Sequence, residues 1–424
     1  MSDFPDSLKR RLVRPAAILG DGVSGRAVAA TLGAAGFASV IYDAQGGNPA
    51  FGPDEAARHD LLVYSPGFPQ SHPWLLAARR AGLHCLTELD FGAMLWTGAA
   101  IAITGTNGKT TLTEFLSFAH KRAGQDAIAC GNVGLPFTAL HATVSNGSFL
   151  AVVEVSSFQA EDLRHFAPDA VLWTNFDEDH LDRHGELESY FRAKFRLIER
   201  MPPGGVLVVG ESVVAAARDF GIELPPDALV ATRAEVATTI PAGSAFEAWP
   251  QRENWALAVK YWQAKGLPFR HLEESARLFR PAPHRLRKVA EAQGVEYWND
   301  SKGTNFHAVY AALEQFDVPV RWIGGGKWKG GDLRRFAERL APRIEAAYLI
   351  GETGPELQRH FAELGRPARC FAGLQDAVVA AGKESHGPTA ILLSPGFASF
   401  DQFRGYAERG TVFERAALAL AQRA

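Results

Sequence analysis

Cysteine is scarce. Only Cys85, Cys130 and Cys370 occur in 424 residues. They lie too far apart for zinc-ribbon spacing and are too few for a disulfide framework, so a reduced cytoplasmic protein is expected. Long apolar runs are also missing. No stretch approaches the ~20 residues that span a bilayer, and the opening MSDFPDSLKRRLVRP lacks the apolar core of a secretory signal. A soluble chain without a membrane partner is therefore expected. Neither sign of charge is in excess: 44 Lys and Arg face 47 Asp and Glu, for a net charge of -3. That balance excludes a nucleic-acid polyanion as the main partner. Internal repeats and low-complexity tracts are absent.

What is present is an alternation of short apolar runs, Gly-rich loops and helical stretches, which argues for parallel α/β architecture. The length exceeds one ordinary core, and the alternation recurs in three regions: 1–98, 99–282 and 283–424. Expected strands in the first are Ala16 to Leu19 and Ser39 to Tyr42, around a helix near Ala27 to Ala35. The second holds Ala100 to Thr104, Ala151 to Val155, Val171 to Thr174 and Val206 to Val209. The third holds Val295 to Trp298, Val320 to Ile323, Ala346 to Ile350 and Ala390 to Leu393. The Pro- and Ala-rich stretch Pro225 to Pro250 shows no readable period.

IAITGTNGKTT (Ile101 to Thr111) feeds an apolar strand into Gly105, Thr106, Asn107 and Gly108, then Lys109, Thr110 and Thr111. Leu112, Phe115, Leu116 and Ala119 follow on one helical face. Glycines let backbone N–H groups surround an anion at a helix N-terminus. Lys109 suits β/γ-phosphate charge and Thr110 suits Mg²⁺. Ile103 stands where the full P-loop pattern has glycine, so the loop is a shortened one; the bland alternative is a strand-turn-helix with a chance lysine.

Glu154 interrupts the apolar AVVEV, where a carboxylate is costly unless paired or metal-bound. Beside a phosphate loop it matches a Walker-B acid; the alternative is an edge-strand acid facing water. NFDEDHLDRH (Asn175 to His184) follows another strand, and its His180 is a candidate cation ligand or phosphate contact, or part of a solvated turn. Lys194 shares a helix face with Phe191, Phe195 and Ile198. It either snorkels to water or holds a buried amine available for chemistry. In the first region, Gly20, Gly22 and Gly25 form GDGVSG, with Ser24 inside it and Asp43 ending the next strand. By pattern this is a dinucleotide fingerprint and raises an NAD-dependent oxidoreductase. The physics asks only for a phosphate-bearing ligand, which a UDP-linked substrate also supplies.

Taken in order, GTNGKTT, GNVG (Gly131 to Gly134), VEVSSFQ (Val153 to Gln159), NFDEDHLDRH, YFRAK (Tyr190 to Lys194), HR at 284–285 and NDSKGTN (Asn299 to Asn305) resemble the Mur ligase family over nearly the whole chain. The resemblance implies three domains: a Rossmann-like one for a UDP-linked substrate, a central P-loop ATPase-type one, and a Rossmann-like C-terminal one for the incoming amino acid, which closes over ATP. It implies ATP and Mg²⁺, with Lys109, Glu154, His180 and Lys194 as the catalytic set and Thr110, Glu154, His180 and Lys194 at the metal. Lys194 corresponds to the lysine that family members convert to a carbamate. Asn254 corresponds to an adenine contact, and Arg285, Asp300 and Lys302 to further ATP contacts. Gly22, Ser24, Asp43 and Ser156 are implied for the UDP-muramoyl substrate, and Asn132 and His180 for that substrate or a second metal. LLSPGFASFDQFRGYAERG (Leu392 to Gly410) most resembles the glutamate-adding members, with Ser399, Tyr406 and Lys329 on the amino acid.

The expected reaction joins D-glutamate to UDP-N-acetylmuramoyl-L-alanine through an acyl phosphate, in a monomeric enzyme; no single motif reports the isomer. Another Mur-type or folylpolyglutamate-type ligase is the alternative. The chain departs from the family at Pro250 and Gln251, at Trp328 beside Lys329, and at Gly303, where alanine is usual.

Overall fold

The computed structural model describes residues 4–44, 47–143, 149–236, 240–247 and 249–422. Three sheets organise the chain. The first holds β1 (Ala16–Leu19), β2 (Ser39–Tyr42), β3 (Leu61–Tyr64) and β4 (His84–Thr87), all parallel in the order β2-β1-β3-β4. The second holds β5 (Ala100–Thr104), β6 (Ala127–Gly131), β7 (Leu150–Glu154), β8 (Ala170–Trp173), β9 (Val206–Gly210) and β10 (Leu229–Ala231). These are also parallel, in the order β10-β9-β8-β5-β7-β6. Parallel strands are covered on both faces, which is why AAIL, AIAIT and AVLW are unbroken apolar runs and fully buried.

The third sheet holds β11 (Arg287–Ala292), β12 (Val295–Asn299), β13 (Val320–Gly325), β14 (Ala346–Ile350), β15 (Ala368–Cys370) and β16 (Thr389–Leu393). Its order is β11-β12-β16-β13-β14-β15, with the hairpin β11–β12 antiparallel and the other pairs parallel. Gln293 and Gly294 close that hairpin with positive φ at both positions (50° and 80°), the geometry of a two-residue primed turn. Trp322, Phe336 and Phe361 pack one face of this sheet, and Tyr348, Val378 and Phe413 the other.

The α/β reading of the sequence therefore holds. The expected strands appear with ends shifted by at most a few residues. The strands β3, β4, β6, β10, β11 and β15 were not among those expected, and β10 falls inside the unreadable Pro225–Pro250 stretch. The expected helix near Ala27 to Ala35 begins earlier, spanning Val23–Ala34, so it starts within the glycine fingerprint.

The chain forms two compact units. The first comprises 1–176, 188–239 and 254–279, and the second 177–187, 240–253 and 280–424. The first unit thus contains two sheets. Glu88 and Asp90, both buried on the helix Glu88–Leu95, link them. Glu88 accepts the Thr138 backbone N–H at 2.8 Å. Asp90 accepts three, from Arg164, His165 and Phe166, at 2.9, 2.9 and 3.0 Å. Buried carboxylates are tolerated when donors converge on them in this way. Among the described residues, no helix is long and apolar enough to cross a membrane.

Candidate active site

The loop after β5 is shaped by two glycines that no other residue replaces. Gly105 has φ +143°, and a Cβ there would lie 1.9 Å from Thr174 Oγ1. Gly108 has φ +83°, and its Cβ would lie 2.6 Å from Asn254 Oδ1. Strand pairing of β5 with β8 brings the end of β8 to the loop. There Thr106 N donates to Asn175 O (3.0 Å), Asn107 N to Asn175 Oδ1 (2.9 Å), and Thr174 Oγ1 to Asn107 O (2.6 Å). The helix Lys109–Arg122 then starts, its dipole adding positive potential at the loop. Ile103, the departure from the full P-loop, is simply a buried residue of β5.

Two amines meet at this loop. Lys109 Nζ donates to Gly105 O and Thr106 O, both at 2.9 Å. Lys194 Nζ donates to the same Gly105 O at 2.9 Å and lies 4.6 Å from the Tyr190 ring centroid. Lys194 is 1% exposed, so it does not snorkel. Its helix, Leu187–Glu199, buries Tyr190, Phe191, Lys194, Leu197 and Ile198 together. Two cations sharing one carbonyl oxygen repel each other, and an anion at the loop relieves that repulsion.

Glu154 ends β7, the neighbour of β5, and is 2% exposed. Asn132 Nδ2 donates to its Oε1 at 2.8 Å, while its Oε2 is buried without a hydrogen-bond partner. The edge-strand alternative thus fails. An orphaned buried carboxylate oxygen costs of order 1–3 kcal/mol or more, and a hard cation would satisfy it. Mg²⁺ typically takes one or two carboxylates plus phosphate oxygens, so the residues present fit it. Thr110 is the second residue of the helix Lys109–Arg122, and Ser156 caps the short helix after β7 in a reciprocal pair with Gln159. Among the described residues, no group of three or more His, Cys, Asp or Glu gathers as a metal cage. Asn254 is buried with its carboxamide against Gly108, at the start of the phosphate-loop helix.

At the first sheet, the strand order reverses direction around β1 and β3, where α/β sheets place ligands. Gly20 has φ +100°, and a Cβ on Gly25 would lie 1.9 Å from Gly20 O, so these two glycines serve turn and packing. Gly22 has nothing within 4 Å of its Cβ position, which leaves the loop open to a ligand. Asp43 Oδ2 accepts the Asp21 N–H at 2.7 Å and ties β2 to the fingerprint. Ser24 lies in the first turn of the helix.

The second unit gathers the remaining candidates into two groups. His180, in left-handed backbone (φ 55°), lines a pocket with Asp179, Thr304, Asn305, Phe306, and Lys329. Asp179 lies 3.5 Å from Lys329 Nζ and accepts Asn305 Nδ2 at 2.9 Å. The other group surrounds Asp300. Its Oδ2 accepts Ser394 Oγ (2.7 Å) and its Oδ1 accepts Leu286 N (3.2 Å). Arg285 sits between two residues of positive φ, His284 (66°) and Leu286 (40°), in a turn held by Asp300 and by Lys302 N donating to His284 O. A Cβ on Gly303 would lie 2.5 Å from Asp300 Oδ2 and 2.8 Å from Ser394 Oγ, which accounts for glycine there in place of the usual alanine. Lys302 Nζ stands 3.9 Å from the Tyr406 ring centroid, and Ser399 is buried in the adjoining loop. Trp328 is half exposed. Thr174, Asn175, Tyr190, Asp179, Asn305 and Arg409 were not singled out from sequence; each reaches its site through chain segments that only the fold brings together.

Burial pushes the Asp300 carboxyl up to about 7. The folded state therefore holds this proton more tightly than the unfolded chain, whose Asp titrates near ~4. The stabilising contribution is complete below about pH 4 and is lost as pH rises through 7. Asp300→Asn is expected to raise the ligand-free Tm by several degrees at pH 8, with the gain vanishing by about pH 4. Thermal melts across that range check it; a gain independent of pH would contradict the assignment.

Two family models match the chain: the Mur ligase middle domain over residues 103–219 and the Mur ligase glutamate ligase domain over 284–397. A UDP-N-acetylmuramoylalanine–D-glutamate ligase of Acidobacterium capsulatum is 35% identical over 386 residues, covering 85% of this chain and 83% of the relative. The Aquifex aeolicus protein of the same name is 31% identical over 405 residues, covering 94% and 97%. Among solved structures, the UDP-N-acetylmuramate-alanine ligase MurC of Thermotoga maritima superposes with a TM-score of 0.58 at 15% identity, over 97% of this chain and 99% of that one. MurF of Thermotoga maritima, in complex with ADP, superposes at 0.57 and 17% identity, over 88% and 92%. The shared fold agrees with the three sheets, and relatives of this identity span most of the sequence: the chain belongs to the Mur ligase family.

Proposed function

We propose that this chain joins D-glutamate to UDP-N-acetylmuramoyl-L-alanine, with ATP cleaved to ADP and phosphate, in cytoplasmic peptidoglycan synthesis. The substrate choice rests on the relatives that carry that name. The chemistry rests on one observation: the orphaned Glu154 Oε2 on the strand beside a loop where two lysines converge.

The terminal carboxylate of the muramoyl substrate attacks the γ-phosphorus of ATP, and ADP leaves. The glutamate amine then attacks the acyl phosphate carbon. The tetrahedral adduct loses a proton and expels phosphate, leaving the amide. Lys109 and the positive N-terminal end of the helix Lys109–Arg122 stabilise the charge on the transferred phosphoryl group. Mg²⁺, when bound, neutralises phosphate charge and polarises the γ-phosphoryl oxygens; Glu154, Thr110, His180 and a carbamate on Lys194 are the ligands proposed for it. Gly22, Ser24, Asp43, Asn132 and Ser156 are assigned to the UDP-linked substrate. In the second unit, Arg285, Asp300 and Lys302 are assigned to the nucleotide, and Lys329, Ser399 and Tyr406 to glutamate. The three sheets support a division at about residues 98 and 282. A monomeric state is part of the proposal.

Phosphate release from Mg-ATP with UDP-N-acetylmuramoyl-L-alanine tests the reading, comparing no amino acid, D-glutamate and L-glutamate. Release that requires D-glutamate and yields the amide is expected. Dependence on L-glutamate would keep the mechanism and reassign the substrate, and no release with either isomer would sink the proposal.

A further inference from the structure

Arg409 is a costly residue. It is 0% exposed, although guanidinium is charged at any physiological pH. Among the described residues, no carboxylate lies within ion-pair distance of it. It occupies the first turn of the helix Tyr406–Ala421, where the helix dipole disfavours a cation. Burial draws its pKa down to about 10, with Asp401 and Asp300 acting in the opposite sense from further off. Such a group persists when its hydrogen bonds hold something that a neutral side chain would not.

Its fork grips two loops. Nε donates to Ser301 Oγ (3.1 Å) and Nη2 to Ser301 O (2.8 Å), while Nη1 donates to Phe397 O (3.1 Å). Ser301 lies between Asp300 and Lys302, the residues assigned to the nucleotide. Phe397 lies in the loop that carries Ser399, assigned to glutamate. Ser301 Oγ in turn donates to Tyr406 O at 2.8 Å, and Lys302 rests on the Tyr406 ring. Further bonds run between the same loops: Ser394 Oγ to Asp300, and Gly396 N to Gly303 O at 2.9 Å.

We propose that Arg409 is a positioning residue that joins the nucleotide loop at Ser301 to the amino-acid loop at Phe397, so that filling either site stabilises the other. The proposal rests on the ligase reading above. It makes the two ligands thermodynamically coupled, and such coupling is reciprocal. Lysine retains a charge but has no planar fork, so it holds one loop at a time.

Isothermal titration of a non-hydrolysable ATP analogue with Mg²⁺ and the muramoyl substrate, with and without saturating D-glutamate, tests this. In the wild-type chain, glutamate is expected to tighten analogue binding by about tenfold, and the analogue to tighten glutamate binding equally. In Arg409→Lys the factor should fall below about twofold, while analogue affinity without glutamate changes little. Should that variant fail to fold, Ser301→Ala, which removes one grip and leaves the carbonyl, is read instead and should give an intermediate factor. An undiminished factor in the folded Arg409→Lys chain, or in Ser301→Ala, overturns the proposal, as does a wild-type chain without coupling. Failure of the ligase reading shows separately, as absence of D-glutamate-dependent phosphate release by the wild type.

Discussion

Lys109→Ala is expected to leave a folded chain whose phosphate release falls by at least about 10²–10³-fold, the loss seen when one preorganised stabiliser of developing charge is removed. The amine is partly exposed and reaches back to the carbonyls of Gly105 and Thr106. Alanine is a good first residue for the helix Lys109–Arg122, so the fold has no reason to suffer. The glycines and the Thr174–Asn175 tethers that shape the loop are untouched. Circular dichroism and a thermal melt establish folding, and steady-state kinetics in ATP separate binding from chemistry. A fall in kcat matched by kcat/KM indicates that the ammonium acts on the transferring phosphoryl group; a rise in KM alone indicates ground-state binding. Near-normal turnover in the folded variant would remove the loop from the mechanism.

Lys194→Ala is expected to be inactive to a similar extent, about 10²–10³-fold by the same argument, but for a different reason and with a different remedy. As an ammonium group, Lys194 adds a second cation at Gly105 O, beside Lys109. As a carbamate it carries a negative charge there, and repulsion becomes attraction. Carbamate formation consumes the neutral amine and CO₂ and releases one proton. In the alanine variant, a small carboxylate such as formate or acetate enters the space left under Tyr190 and restores part of the activity. Full activity without any added carboxylate would exclude the carbamate. A carbamate carbon signal after exchange with ¹³C-bicarbonate, present in the wild type and absent in the variant, is the independent check. Because Lys194 is buried, Lys194→Met serves as a volume-matched control for lost packing.

How much of this was legible beforehand depended on the kind of signal. The central strands β5, β8 and β16 are buried on both faces and read as apolar runs, and β13 does so apart from the partly buried Arg321. The edge strand β11, RKVAEA, carries charge on an exposed face and shows no such run. β15 is three residues with two exposed, and β10 sits among prolines. LLVY at β3 is apolar, but four residues do not separate a strand from part of a buried helix. The phosphate loop was legible because its residues are contiguous. Its tether at Asn175 was not, because the contact follows from the pairing of β5 with β8 rather than from any local pattern. Lys194 was ambiguous until the helix face was seen closed over it. Asp179 and Lys329, far apart in the chain, meet only in the fold. Arg409 was invisible for a further reason: a single arginine in a helical stretch reads as solvated surface.

The buried pair on the helix Glu88–Leu95 bears on modularity. The number of sheets and the number of separable pieces are not the same for this chain. A cut near residue 98 would strip Asp90 of the three backbone donors at 164–166 and Glu88 of Thr138 N–H. Both buried carboxyls would then have to find replacement donors, and the donors left on the other fragment would be stranded as well. Recombination or fragment expression that treats the first sheet as an interchangeable cassette must therefore carry 138 and 164–166 with it, or supply a surface that answers the same four hydrogen bonds.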